Sequence, residues 1–587
     1  MLSEMTLRKN SAIKASSLAL EQEAFNFVDL EERSPSRAQP KTWGAFYTEQ
    51  HVADFLVWWA LRNPSGKALD PSFGGGVFLQ SACRRLRSLG KKSTPEIFGV
   101  ELDPEVFQEV SGRLRREYRL LPGHLLRADF FDVLPSQWGK LDCLIGNPPF
   151  IRYQKFKGEK RQKALLRAER AGVKLNGLAS SWAHFLIHGM NFLAPGGRLA
   201  MVVPAEIVHA SYAKPVLRYL ERSFGKVIFL TFQRKLFSRL SEDTLLLLAE
   251  NYGQASSKIY WQDFSDSGRL INLIEKDQFH WRGLKRVDGH FLSSGQGRLW
   301  ESLLPKKVIA LYRELVASAE VQRLGDWADV GIGYVSGGNH FFHLNCFDVQ
   351  AHHLPDEFLK PMVNRGRDLE GLFYTHQDWT NDAKLGRPCF LLYLPSNGIL
   401  PRNVKNYLKL GTDQGVDQAY KCRTRTPWYR VPHVYVADAF LTYMSGSSSK
   451  MVANSARAVA PNSLHIVRIK GSNDISAAGL ASLWKTSLAK LGAELEGHSL
   501  GGGMLKLEPS EAERVPLPAW TPAKSKQVQL ARELDALCRK RQEQKAQGLA
   551  DKIVLCDFLG LTVQECVALS RGAKLLRERR YGRGASS

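Results

Sequence analysis

The chain has 587 residues, and its 81 lysines and arginines against 58 aspartates and glutamates leave a formal net charge of +23. That excess points to a polyanionic partner, nucleic acid before membrane, while the alternative is a basic surface that only aids solubility. Cys83, Cys143, Cys346, Cys389, Cys422, Cys538, Cys556 and Cys566 form no Cys-x-x-Cys pair, which excludes a zinc ribbon and a dithiol motif. No apolar run is long enough to span a bilayer and no signal-peptide core opens the chain, so a reduced, soluble, cytoplasmic protein is expected.

Residues 1–40 are polar and mixed and read as a loosely ordered arm. From 41 to 252, short β-rich runs alternate with helical segments. The runs are KALD (67–70), IFGVE (97–101), LDCLIG (141–146), RLAMVVP (198–204), KVIFLTF (226–232) and TLLLLAE (244–250). Helices are expected at ADFLVWWALR (53–62), FLQSACRRLRSLG and WAHFLIHGMNFL. This alternation predicts an α/β domain with a mostly parallel sheet and helices on both faces. The short link between the last two strands predicts an antiparallel hairpin at the sheet edge. Residues 253–320 read as a bridging region. From 321 to 520 short strands, glycines and aromatics replace the βα rhythm, and 521–587 reads as basic amphipathic helices.

The chemistry concentrates at strand ends. DPSFGGGVF (70–78) follows the first strand and precedes a helix. Its glycines let backbone approach a ligand, and the helix N-terminus favours a negative group. No Gly-Lys-Ser/Thr follows, so it is not a Walker loop. Glu101 ends the second strand, where a carboxylate can accept both ribose hydroxyls. Asp129 and Phe130 end the third, where Asp129 can accept from an adenine amino group and Phe130 can pack on the ring. Each signal alone is weak. In this order they describe a pocket for an adenosine with a small charged attachment.

The fourth strand ends in Asn147-Pro148-Pro149-Phe150. Two prolines fix two φ angles and push the residue before each out of the helical region. Here the chain resembles the gamma-class N6-adenine DNA methyltransferases of type II restriction-modification systems. That family places an [DNS]-P-P-[YFW] motif after its adenosine motifs and a Gly-x-x-Tyr-Thr-Pro cofactor motif ahead of them. The latter matches Gly44-Ala45-Phe46-Tyr47-Thr48-Glu49, with Glu49 in place of the usual proline.

The resemblance implies a Rossmann-like, seven-stranded class I methyltransferase domain over 41–252. It also implies S-adenosylmethionine held by Tyr47, Thr48, Asp70, Ser72, Gly74, Gly76, Glu101, Asp129 and Phe130, with Asn147, Pro148, Pro149 and Phe150 as the catalytic loop. The Asn147 side-chain oxygen and the Pro148 carbonyl would take the two protons of an adenine amino group, and Phe150 would stack on the flipped base. Phe237, before the last hairpin strand, is the expected second stacking ring, or else a core aromatic. Neither a metal nor a covalent intermediate is expected.

The run RYQKFKGEKRQKALLRAER (152–170) directly follows the loop. Arg152 and Lys155 within it are candidates for phosphate contact, or form part of a solvated helix face. LGDWADVGIGYVSGGNHFF (324–342), RTPWYRVP (425–432) and SLGGGMLKLEPSEAERVPLP (499–518) resemble segments of the family's α+β target-recognition domain, expected over 321–520. Arg423, Arg425 and Arg430 are its candidate DNA contacts, against a reading as phosphate contact or core packing around Trp428. A monomer on duplex DNA, paired with a separately encoded endonuclease or acting alone, is the expectation. The rival readings are an RNA or protein-glutamine methyltransferase, and a DNA-binding protein with a degenerate pocket.

Overall fold

The computed structural model describes residues 48–584 except 209, 238–242, 256–257, 276–283, 290–293, 295–297, 396–397, 472–473 and 500–502. The amino-terminal arm and Tyr47 therefore lie outside the described residues.

The first half is built on one sheet. Its strands are β1 (Ala68–Asp70), β2 (Ile97–Glu101), β3 (Leu125–Arg127), β4 (Leu141–Gly146), β5 (Leu193–Pro204), β6 (Phe224–Phe232), β7 (Thr244–Tyr252), β8 (Lys258–Phe264) and β9 (Lys285–Asp288). The spatial order is β3-β2-β1-β4-β5-β7-β6-β8-β9. Helices α1 (Gln50–Ala60), α2 (Val77–Ser88), α3 (Pro104–Tyr118), α4 (Gly158–Arg170), α5 (Ser181–Met190) and α6 (Lys214–Ser223) connect or cover it.

The strands behave as buried strands must. In β4 only Asp142 is exposed, and its carboxylate accepts from the Lys67 backbone at 2.8 Å. Leu245, Leu246, Leu247 and Leu248 of β7 are all buried, so both faces of that strand are covered. Each such side chain contributes roughly 1.5–3 kcal/mol. Only β7 and β9 run against the other strands.

Two expectations change here. The sheet has nine strands rather than seven, because β8 and β9 come from the stretch read as a bridge. Strand β8 adds to β6 in parallel and buries Ile259 and Trp261, covering an edge that would otherwise present unpaired backbone groups. The β6–β7 hairpin is consequently interior: β7 inserts antiparallel between β5 and β6.

The second half has its own cores. A five-stranded sheet runs in the order Ala328–Ile332, Leu464–Ile469, Ala439–Thr442, Met451–Asn454, Phe373–Tyr374. The helices after 521 are not a separate appendage. Leu530, Ala531 and Leu534 of helix Lys524–Arg539, and Leu569 of helix Val563–Gly584, join one core with Leu483, Leu488 and Leu491. A smaller core gathers Phe341, Phe342, Leu391, Val404 and Val431. Adjacent arginines on the last helix tie the halves together. Arg579 pairs with Asp263 of β8, and Arg580 with Glu494 at 2.8 Å.

Candidate active site

Strand order runs outward from β1 in both directions, to β2 and β3 on one side and to β4 and β5 on the other. Such a switch point opens a crevice at the carboxyl ends of the strands. The crevice floor is Asp70 at the end of β1 beside Gly146 at the end of β4. Gly146 has φ +139°, and a Cβ there would meet Asp70 Oδ1 at 2.7 Å, so both the conformation and the contact require glycine. That close approach is what sets the next residue, Asn147, at the crevice.

The Asn147 amide nitrogen donates to the Thr48 hydroxyl at 3.2 Å. Its side-chain oxygen, Oδ1, is buried and accepts no hydrogen bond within the protein. The following residues are pinned by α5: the Ser181 hydroxyl donates to the Pro149 carbonyl and accepts from the Ile151 backbone N–H at 2.8 Å. The Ser181 backbone N–H donates to the Ile151 carbonyl at 3.0 Å. The loop is thus fixed by its prolines and by a helix terminus. Ser181 escaped the sequence reading; the only signal was a Ser-Ser pair at the start of a predicted helix. Phe150 is 8% exposed and packs on the sheet core.

The glycine loop folds over the ends of β1 and β2. Asp70 Oδ1 accepts from Ser72 N–H at 3.1 Å, and Gly76 caps α2 with φ +77°. Arg113 donates to the Gly75 carbonyl at 2.7 Å and steadies the turn from α3, a contact no motif signals. Glu101 accepts three backbone N–H groups. Gly74 donates to Oε2 at 2.9 Å, and Leu102 and Asp103 donate to Oε1 at 2.8 Å each. A carboxylate has about four acceptor sites, so one is left on Oε2. This is room for one hydroxyl rather than the pair expected from the sequence.

Burial pushes the Asp70 carboxyl up to about 8, with the Ser72 N–H opposing and the Glu101 charge adding to the rise. Its Oδ2, like the Ser72 hydroxyl, is buried without a protein partner. Asp129 lies just past β3, where its Oδ1 accepts from Phe131 N–H at 3.0 Å. Burial raises its pKa above the usual carboxylate range. Phe130 departs from expectation. Its ring is 2% exposed and stacks at 5.5 Å on Phe185 and on Phe192, so its side chain belongs to a core aromatic cluster.

Phe237 is also in the core cluster, 7% exposed, beside a shallow depression lined by Arg234, Lys235, Asp243 and Thr244. The core alternative describes its present position.

The basic run divides. Arg152 and Lys155 are exposed. On α4, however, Lys163 pairs with Asp132 at 2.9 Å, Arg167 donates to the Phe131 carbonyl at 2.8 Å, and Arg161 donates to the carbonyls of Tyr153, Phe156 and Gly177. Those cations hold the helix to the segment after β3 and to the turns flanking it.

The distal arginines divide in the same way. Arg425 donates to the carbonyls of Ser336 at 2.5 Å and Val335 at 2.7 Å, stapling the glycine-rich loop to its neighbour. It is a structural cation rather than a free DNA contact. Arg423 and Arg430 are exposed, and Arg423 lies 5.6 Å from the Tyr420 ring. Trp428 packs against Phe341 and Phe342. Among the described residues no group of three or more His, Cys, Asp or Glu could hold a metal ion, and no helix is long and apolar enough to cross a membrane.

Comparison with known proteins places this geometry in a family. Residues 33–287 match the family described as N-6 DNA Methylase, and residues 297–555 match Type II methyltransferase M.Eco57I, C-terminal domain. Type II methyltransferase M.AccI of Acinetobacter calcoaceticus is 22% identical over 84% of this chain and 87% of its own length. M.XamI of Xanthomonas campestris pv. amaranthicola is 21% identical over 81% and 85%. Among solved structures, the Type IIL restriction-modification enzyme MmeI in complex with DNA shares the fold. Its TM-score is 0.52 at 12% identity, covering 90% of this chain and 75% of MmeI. The chain spans 66% of the type IIG restriction endonuclease BpuSI. With a methylase domain in its first half and the M.Eco57I-type domain in its second, the chain belongs to the Type II restriction-modification methyltransferases and is an adenine-specific DNA methyltransferase.

Proposed function

We propose that the enzyme takes S-adenosylmethionine as methyl donor and methylates N6 of one adenine flipped out of duplex DNA, using the gamma order of motifs. It would act in the cytoplasm as the modification partner of a separate endonuclease. One observation carries the reading: Asn147 presents a buried acceptor, Oδ1, with no protein partner, at the switch-point crevice of a parallel sheet. A buried acceptor without a partner costs about 1–3 kcal/mol, and such a cost persists where a ligand is to supply the donor.

The residues fit the cofactor. Asp70 Oδ2 and the Ser72 hydroxyl are further buried polar atoms without protein partners. Glu101 Oε2 keeps one site for a ribose hydroxyl, and Asp129 can accept from the cofactor's adenine. The cofactor, when bound, supplies a methyl group on a positively charged sulfur.

The protein's part is to prepare the amine. Adenine N6 is a poor nucleophile because its lone pair is delocalised into the ring. Asn147 Oδ1 accepts a hydrogen bond from one N6–H and the Pro148 carbonyl accepts one from the other, which drives the nitrogen towards tetrahedral geometry and localises the pair. Pro149 and Ser181 keep the loop from moving, so the two acceptors are preorganised. Phe150 offers a ring for the base to stack on, and the exposed Arg152, Lys155, Arg423 and Arg430 supply phosphate or base contacts. Arg425 and the side chains of Phe130 and Phe237 are not assigned ligand contacts.

Incubation with labelled S-adenosylmethionine and separate DNA, RNA and protein pools tests this. Label is expected in DNA as N6-methyladenine. The N147A variant is expected to lose about 100-fold or more of the transfer rate while still binding DNA. Label confined to RNA or protein, or an undiminished rate in N147A, would sink the assignment.

A further inference from the structure

We propose that Thr48 is a positioning residue for Asn147, acting on the transfer step in addition to any contact it makes with the cofactor. The proposal rests on the reading of Asn147 as the acceptor of an adenine N6 proton. Thr48 is 8% exposed and sits just before α1, one residue ahead of its cap at Glu49. Its hydroxyl accepts from the Asn147 Nδ2 at 3.2 Å, which spans 99 residues of sequence and joins the start of the fold to the end of β4.

The tether does two things to the carboxamide. It fixes rotation about the terminal side-chain torsion, which is otherwise broad and roughly two-fold. It also takes up an amide proton, so that the group is polarised and its oxygen becomes a better acceptor. A hydroxyl can donate as well as accept, so the tether alone does not choose which end of the amide faces the crevice. The adenine amino group, which offers two protons, completes the choice. With Nδ2 on Thr48, Oδ1 is the end left without a partner, which is the arrangement found.

Without the hydroxyl, Nδ2 loses its partner and the amide is free to turn its nitrogen towards the incoming amine. Donor would then face donor. At saturating cofactor the loss falls on the rate of methyl transfer, whatever Thr48 also contributes to holding the cofactor.

The test uses the full chain and three variants, T48V, T48S and N147A. Valine keeps the shape and removes the hydroxyl; serine keeps the hydroxyl. Two quantities are read: the dissociation constant for S-adenosylmethionine without DNA, and the single-turnover rate of tritiated methyl transfer at saturating cofactor. The DNA is plasmid from a host lacking adenine methylation. T48V is expected to slow transfer about tenfold or more at saturating cofactor, whatever its dissociation constant for the cofactor. T48S is expected to recover most of the rate.

A T48V enzyme that binds the cofactor weakly but transfers at the parent rate once saturated would overturn the proposal and leave Thr48 a cofactor ligand alone. An unchanged T48V, or a T48S as slow as T48V, would overturn it too. N147A separates the two levels: if it transfers normally, the reading of Asn147 fails first, whatever Thr48 does.

Discussion

The crevice above β1 and β4 and the carboxyl-terminal half differ in how they gather polar side chains. In the crevice, Asn147 Oδ1, Asp70 Oδ2 and the Ser72 hydroxyl are buried and have no protein partner. In the second half, several guanidinium groups are consumed internally, although Asp417 Oδ1 and the Ser487 hydroxyl are buried there without a protein partner. Arg580 binds Glu494 and the carbonyls of Gly446, Ser447 and Gly503, and Arg539 binds Asp378, Asp535 and the Phe373 carbonyl. The difference teaches that a net charge of +23 is a poor map of a DNA surface, since part of that charge is mortar. Several buried groups awaiting a partner at one strand-end crevice are the better guide to where chemistry happens.

If the second-half cations are architectural, removing the most buried one should be the most damaging. R580A strands Glu494 in a site where both side chains are nearly inaccessible. It should cost about 3–5 kcal/mol, seen as a lower urea midpoint. A midpoint equal to the parent's would break the comparison.

The crevice predicts the reverse, because its polarity is held at the expense of stability. Asp70 has its folded pKa raised to about 8 from an ordinary 3.8. Its contribution is therefore fully present below the ordinary value and is lost as pH rises through about 8. D70N keeps an oxygen for the Ser72 N–H and has no charge to bury. Without cofactor, it should be more stable than the parent at pH 8 by about 1–3 kcal/mol and nearly equal at pH 4. Denaturation curves at the two pH values check this; a gain at pH 4 alone would reverse the sign.

The two neighbouring arginines sharpen the comparison further. R425A removes two charge-assisted bonds to backbone carbonyls and should cost about 2 kcal/mol. R423A removes an exposed cation and should stay within about 0.5 kcal/mol of the parent. Its effect should instead lower the slope of log affinity for DNA against log salt by about one. A stability loss in R423A with an unchanged salt slope would make it mortar as well.

Much of the first half was legible. The boundaries of IFGVE and LDCLIG fall where the apolar runs do, because a strand buried on both faces leaves a continuous hydrophobic signature. The Asn-Pro-Pro-Phe loop was legible because few contexts tolerate two prolines at the end of a buried strand. The bridging stretch was misread because Lys258–Phe264 alternates weakly and gains its burial only from the exposed edge of β6. Phe130 sits in the core rather than towards the pocket, and for Phe237 the alternatives of stacking ring and core aromatic could not be separated: an aromatic at a strand end looks alike whether its ring turns to a ligand or to the core. Arg425 could not be told from Arg423 two residues away, because the carbonyls it binds are about ninety residues distant in sequence.

The α/β pattern, the order of the adenosine motifs and the residue types of the catalytic loop are written in the chain itself, since local propensity and chemistry restrict those choices directly. That the sheet has nine strands, that Glu101 keeps one free acceptor site, and that Thr48 and Ser181 hold the loop around Asn147 emerges from the folded arrangement alone. Those outcomes depend on contacts between residues far apart in the chain. Hydrogen-bond saturation is a property of three-dimensional neighbours, and no periodicity in a sequence records it.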